Sequence, residues 1–186
     1  MSFSPIAIVG RSVILPGANS PEALWTLAAE GRDVVQSAPA GRWRVGTGDA
    51  LCSPNENADN KAWSDKGGYV SGFESLWNPE GFAVAASTLN QLDPLFQWAL
   101  HCARTALADA GDARQGAVDR GRVGAIFGNL GYPSTTMTKY AEAIWQGQPA
   151  PNPLNRFMSG GAANILEQAL GLAPGVTCLD TACASS

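Results

Sequence analysis

The chain has 186 residues, 45% of them hydrophobic and 15% charged, with a net charge of −4 and a pI near 4.9. That length suits one domain with a sizeable core, and the 21 Gly and 12 Pro point to many sharp turns. The acidic balance argues against a nucleic-acid partner, which needs a basic face.

The elements alternate between strand-like and helix-like, which predicts an α/β layered fold with a largely parallel sheet. Pro5-Ile6-Ala7-Ile8-Val9 is a short apolar run ending at Gly10 and reads as a buried strand. Ser20-Pro21 offers an N-cap followed by proline at the first helical position. Leu24, Leu27 and Ala28 supply the apolar face of that helix, and Gly31 its stop. From Gly41 to Gly68 the periodicity dissolves. Gly46-Thr47-Gly48-Asp49 and Ser53-Pro54-Asn55-Glu56-Asn57 are turn chemistry, and Gly67-Gly68-Tyr69-Val70 resumes as a short strand.

Asp93-Pro94 opens the clearest helix, in which Phe96, Ala99, Leu100, Ala103, Ala106, Leu107 and Ala110 recur at spacings of three and four before Gly111. Its alanines predict close packing in a central layer. Val123-Gly124-Ala125-Ile126-Phe127 is a continuous apolar run, as expected of a strand covered on both faces. A helix over about 134–145 is expected to present Met137, Tyr140, Ala141, Ile144 and Trp145. Another, over about 155–170, presents Phe157, Gly161, Ala162, Ile165, Leu166, Ala169 and Leu170. Gly171 ends it, and Gly175 to Asp180 is the next strand.

No run is long enough to span a bilayer, since Ile6 to Leu15 is interrupted by Arg11 and Ser12. Met1-Ser2-Phe3-Ser4-Pro5 lacks the basic start of a signal peptide, so a cytoplasmic protein with no membrane partner is expected. Cys52, Cys102, Cys178 and Cys183 include no CxxC pair, and His101 is the single histidine. Neither a zinc site nor a disulfide framework is expected. Neither GxGxxG nor GxxxxGK(S/T) occurs, so no nucleotide cofactor is expected.

The chemistry concentrates at Leu179-Asp180-Thr181-Ala182-Cys183-Ala184-Ser185-Ser186. A strand runs out, small residues turn the chain, and Cys183 stands where a helix is expected to begin. Backbone amides at a helix start favour a thiolate and can donate to the oxyanion formed when it attacks a carbonyl. A lone cysteine in apolar surroundings is more often an inert buried residue. Here the wording outweighs that base rate. Asp180-Thr181-Ala182-Cys183-Ala184-Ser185-Ser186 resembles the active-site signature of the β-ketoacyl synthases of modular polyketide and polyunsaturated fatty acid synthases.

The resemblance runs along nearly the whole chain. Pro5 to Gly10 resembles the family's opening strand, and Leu15-Pro16-Gly17-Ala18 with Leu24-Trp25 its next turn and helix. Leu92-Asp93-Pro94 and Asp109-Ala110-Gly111 are similar to the ends of its long helix. Arg122-Val123-Gly124 and Phe127-Gly128-Asn129 are similar to the following strand. Asn155-Arg156-Phe157-Met158-Ser159-Gly160 resembles the iterative, polyunsaturated-fatty-acid subgroup. Between Gly46 and Lys66 little of the family wording is present.

The resemblance implies that residues 1–186 are the N-terminal part of a thiolase-like layered fold, with Cys183 as the acyl-accepting nucleophile. The family's two histidines and lysine lie downstream of that cysteine, so the chain alone is expected to have no condensing activity. It also implies an acyl carrier protein as partner, whose phosphopantetheine arm carries the substrate, and a homodimer with the strand Gly175 to Asp180 near its two-fold axis, so that this strand is expected to be an edge strand in the single chain. Two other readings stay open: a non-catalytic ketosynthase-like dimer partner or chain-length factor, in which the nucleophile is usually replaced, and a coenzyme-A-dependent thiolase-fold enzyme.

Of the remaining residues, His101 lies with Gln97 and Arg104 on a polar stripe and is read as structural. Arg32, Arg42 and Arg44 form a basic cluster that suits an acidic carrier protein, although a solvated loop face is the commoner meaning. Cys178 is expected to be a packed core thiol. Phe157 and Met158 are candidates to line an acyl tunnel or to pack the core. In the full-length parent, iodoacetamide is expected to label Cys183 faster than Cys52, Cys102 or Cys178, as read by peptide mass spectrometry. Equal, slow labelling of all four would favour the scaffold reading.

Overall fold

A computed structural model describes residues 4–54, 58–111, 118–129, 134–156, 158 and 160–185. In chain order the elements are α1 (Pro21–Ala29), β1 (Gln36–Ser37), α2 (Thr47–Ala50), β2 (Lys66–Gly67), α3 (Ala86–Leu89), α4 (Pro94–Asp109), β3 (Ile126–Gly128), α5 (Thr135–Trp145), α6 (Gly161–Leu170) and β4 (Thr177–Leu179). They fall into two compact units, Val13–Leu76 and the remainder, Met1–Ser12 with Trp77–Ser186. The expected turn at Asn55, Glu56 and Asn57 lies outside the described residues, as does Phe157.

In the smaller unit, Leu15 and Ala18 exchange backbone hydrogen bonds of 2.8 and 3.0 Å around Pro16 and Gly17, the latter at φ +73°. Proline at the second position and a left-handed glycine at the third are the residues such a turn requires. Helix α1 starts as expected, with the Ser20 hydroxyl accepting from the Ala23 amide at 3.1 Å and Pro21 in the first turn. Its expected apolar face is only partly used: Leu27 is buried, whereas Leu24 and Ala28 are exposed. Strands β1 and β2 pair antiparallel, Gln36 with Gly67 and Ser37 with Lys66. The strand expected over Gly67 to Val70 therefore begins at Lys66 and stops at Gly67. Residues 47–50, expected as a turn, form one helical turn.

In the larger unit, α4 packs along α6. Leu89, Leu92, Phe96, Leu100, Met137, Ile165, Leu166 and Leu170 close into the core with small residues of α6. Helix α6 buries Ala162, Ala163, Ile165, Leu166, Ala169 and Leu170, the face its periodicity predicts. Gly161 lets it approach closely, since a Cβ there would lie 3.2 Å from the Phe96 ring. It starts at Gly161 rather than near Asn155, because Asn155 sits in a separate 3-10 turn, Pro153–Asn155. Helix α5 matches its expected span but only part of its expected face. Met137 and Ala143 are buried, while Ala141, Ile144 and Trp145 (88% exposed) face outward.

Strands β3 and β4 pair in parallel, Ile126 with Thr177, Phe127 with Cys178 and Gly128 with Leu179. Phe127 turns toward the helical core, whereas Ile126 (76%) and Leu179 on the other face are exposed. The apolar run Val123 to Phe127 is thus covered on one face, not two. Among the described residues β4 has no neighbour on its far side, as an edge strand requires. Pro5 to Val9, expected as a buried strand, pairs with nothing described; Ile6 is 95% and Ile8 86% exposed. An apolar run needs a partner strand to become sheet, and among the described residues the segment is fastened at its end. There Gly10 lies against the backbone of Ala106 and Ala110, and the Arg11 amide donates to Asp109 Oδ2 at 2.8 Å.

One buried carboxylate joins the helical layer. Asp93 Oδ1 accepts from the Leu95 amide at 3.0 Å, capping α4. Its Oδ2 accepts from the Thr136 amide at 3.2 Å and from the Ser134 hydroxyl, so the same group holds the start of α5. The Asp93 amide donates to Asn155 Oδ1 at 2.8 Å, and Asn155 Nδ2 donates to the Gln91 carbonyl at 2.7 Å. Asp93 and Asn155 are 1% and 0% exposed. Along α4, Gln97 and Arg104 do related work: Gln97 donates to the Leu89 and Leu92 carbonyls, and Arg104 to those of Asn78 and Glu80.

Replacing either end of this bracket leaves buried polar groups without water. Asp93→Ala and Asn155→Ala are each expected to cost about 2–4 kcal/mol, read from urea midpoints. The double variant should cost less than the sum, because both act on one network.

Candidate functional site

Cys183 lies four residues beyond the end of β4, inside a one-turn 3-10 helix, Ala182–Ala184. The turn is built by its own side chains. Asp180 Oδ1 accepts from the Ala182 amide at 3.1 Å, and Ser185 Oγ accepts from the Thr181 amide at 2.9 Å. The Ala184 amide donates to the Thr181 carbonyl at 3.2 Å, and that of Ser185 to the Ala182 carbonyl at 3.1 Å. Asp180 and Ser185 thus bracket the cysteine, a role that the sequence reading did not assign. The signal was present in the spacing, since short polar side chains commonly close turns on their own backbone.

Ala182 sits at φ +52°, the only non-glycine residue with positive φ among those described. That conformation costs roughly 1–2 kcal/mol for a residue with a Cβ. It directs the chain sharply out of the strand direction just before Cys183, which is exposed. The Cys183 amide makes no hydrogen bond among the described residues, so it can donate to an oxygen developing negative charge beside the sulfur. The helix expected to follow the strand is here one 3-10 turn, Ala182–Ala184.

The other cysteines are differently placed. Cys52 is half-buried, with Sγ 3.9 Å from the Ala58 carbonyl. Cys102 is half-buried on α4, where burial pushes its thiol up and a hydrogen bond with the Ser12 side chain opposes that. Cys178 is half-buried in β4, not fully packed as expected. All are thiols, and no group of three or more metal-ligating side chains occurs among the described residues.

His101 lies on α4, where burial and then the charge of Arg104 hold its imidazole below the ordinary range. It is not among the residues that form the Cys183 turn. Arg32 pairs with Glu30 at 2.7 Å on the surface, and Arg42 lies 5.9 Å from the centre of the Tyr69 ring. A pair so exposed contributes about 0–1 kcal/mol. Met158 is half-exposed and lines an open cleft with Leu92, Phe96, Leu154, Arg156 and Ile165; Cys183 is not among the lining residues.

The profile of the β-ketoacyl synthase N-terminal domain matches residues 3–186. Mycoketide-CoA synthase of Mycobacterium tuberculosis is 33% identical over 187 residues, covering 100% of this chain and 4% of that protein. Polyketide synthase PksN of Bacillus subtilis is 32% identical over 183 residues, 98% of this chain and 3% of that protein. Among solved structures, a PfaC keto synthase–chain length factor superposes with a TM-score of 0.83 at 26% identity. That match covers 97% of this chain and 21% of the other. The chain therefore spans a small fraction of the proteins it matches. Among the described residues no helix is long and apolar enough to cross a membrane.

The bracket around Cys183 can be tested residue by residue. Ala182→Val places a β-branched side chain at positive φ and is expected to cost about 1–3 kcal/mol, with altered iodoacetamide labelling of Cys183. Ala182→Gly should stay within about 1 kcal/mol of the parent in thermal melts, since glycine adopts that conformation freely.

Proposed function

Because the chain belongs to the β-ketoacyl synthase family, as the N-terminal domain of such an enzyme, we propose that it carries the acyl-accepting half of a condensing site, with Cys183 as nucleophile. The observation that supports this most is the exposure of Cys183 on a turn immediately after a strand, with its own amide available as a donor.

The thiolate of Cys183 attacks the carbonyl carbon of an acyl group held in thioester linkage on the phosphopantetheine arm of an acyl carrier protein. The oxyanion collapses, the carrier's sulfur leaves as a thiolate that takes a proton from solvent, and the acyl group rests on Sγ. A malonyl-carrier protein then loses carbon dioxide. The resulting enolate carbon attacks the Cys183 thioester, giving a β-ketoacyl-carrier protein two carbons longer and restoring the Cys183 thiolate. In this reading residues 1–186 form the N-terminal part of a 3-oxoacyl-[acyl-carrier-protein] synthase of the polyketide or polyunsaturated fatty acid type. It works in the cytoplasm as a homodimer that pairs near β4.

A second reading, a chain-length factor without catalysis, has one specific motive: the superposing PfaC protein combines a keto synthase with a chain length factor. The retained Cys183, with its bracket intact, favours the catalytic half.

The deciding experiment incubates the chain with a short acyl thioester of pantetheine and locates the acyl group by peptide mass spectrometry. Acylation is expected on the Cys183 peptide and is expected to vanish in Cys183→Ala. Equal acylation of Cys52, Cys102 or Cys178, or persistence in Cys183→Ala, would overturn the proposal.

A further inference from the structure

We infer that Gly128, at the end of β3, is a positioning residue for Cys183, a role that rests on reading Cys183 as the acyl acceptor. The parallel pair places Gly128 opposite Leu179, and the ladder continues one step further through the Asn129 amide, which donates to the Leu179 carbonyl at 3.0 Å. Beyond Leu179 the chain turns back over the end of β3 and lays the backbone of Ser185 against the Gly128 α-carbon. A Cβ on Gly128 would coincide with the Ser185 carbonyl oxygen. It would also stand 2.6 Å from the Ser185 carbonyl carbon and 3.3 Å from its α-carbon.

All three of those atoms are backbone, so no rotamer change relieves the conflict; the turn itself must move. Ser185 is tied to Thr181 through its Oγ and to Ala182 through its amide, so displacing Ser185 displaces the loop that contains Cys183. Gly128 does not have positive φ, unlike Gly171 and Gly175, so backbone conformation is not the reason for glycine there. The reason is the missing side chain.

Two other glycines of the same unit separate this role from ordinary structure. A Cβ on Gly124, just before β3, meets nothing within 4 Å. One on Gly10 would collide with the α4 backbone at Ala106 and Ala110. Gly10→Ala is therefore a destabilised control that leaves the Cys183 turn untouched, and Gly124→Ala a silent one.

Each of the three alanine variants is compared with the parent chain by thermal melting, by iodoacetamide labelling of each cysteine, and by acyl transfer from the pantetheine thioester across a range of thioester concentrations. In Gly128→Ala the maximal acylation rate is expected to fall about tenfold or more, with the half-saturating concentration within about twofold, because reacting groups misplaced by an ångström lose rate steeply. Labelling of Cys183 should change by about threefold or more while Cys52, Cys102 and Cys178 keep their rates. Gly10→Ala should lower the melting midpoint and retain acylation, and Gly124→Ala should match the parent. Parent-like acylation and labelling in Gly128→Ala would overturn the inference. So would failure of that variant to fold, or an equal loss of acylation in Gly10→Ala, since either outcome makes the glycine structural only. If the parent chain is not acylated at all, the catalytic reading fails by itself, and Cys183 labelling still decides whether Gly128 sets the turn.

Discussion

The carboxylate of Asp93 is the point on which the larger unit depends. A buried carboxylate costs several kcal/mol unless its oxygens are satisfied. Here both are: Oδ1 by the first turn of α4, Oδ2 by the Ser134 hydroxyl and the first turn of α5. One side chain thereby sets where two helices begin. Asn155 completes the bracket from a third direction by accepting from the Asp93 amide and donating to Gln91. Its cost is that Asn155 cannot belong to α6, which begins only at Gly161.

From that bracket the order passes through packing to the candidate nucleophile. With α4 in place, Phe96 meets the glycine at the start of α6, and the apolar face of α6 closes on Leu100 and Met137. Helix α6 then packs on β4, β4 pairs with β3, and the end of β3 supports the turn that carries Cys183. Two of these steps rest on a missing side chain: Gly161 leaves room for the Phe96 ring, and Gly128 for the backbone of Ser185. The two strands bury one face and leave Ile126 and Leu179 on the other, apolar surface of the kind a layered fold covers with its next layer.

The residues that looked chemically suggestive divide by what surrounds them. His101, the single histidine, lies on the stripe of α4 where Gln97 and Arg104 fasten neighbouring carbonyls, and burial keeps it toward its neutral form. Cys102 on the same helix is burdened by burial. Cys183 alone combines exposure with a turn built around it. The family's wording at Asp180, Thr181 and Ser185 thus acquires a physical sense, because these polar groups hold the turn in shape beside the sulfur.

What could be read from residues alone was whatever depends on neighbours in the chain. Ser20-Pro21 and Asp93-Pro94 specified helix starts, Gly31, Gly111 and Gly171 their ends, and the spacing of α6 its buried face, because caps and periodicity act within a few residues. The location of Cys183 after a strand was legible for the same reason. What depends on distant partners was not. Ile6 and Ile8 have the composition of a buried strand, yet strand formation needs a second backbone, which no local pattern supplies. Ile144 and Trp145 look like an inner face until packing turns Ala143 inward instead. Asn155 reads as helical in the sequence because its hydrogen bonds to Asp93 and Gln91, which hold it outside α6, span more than sixty positions. Gly128 looked like any strand-end glycine, and only the return of the chain at Ser185 reveals why nothing larger fits there.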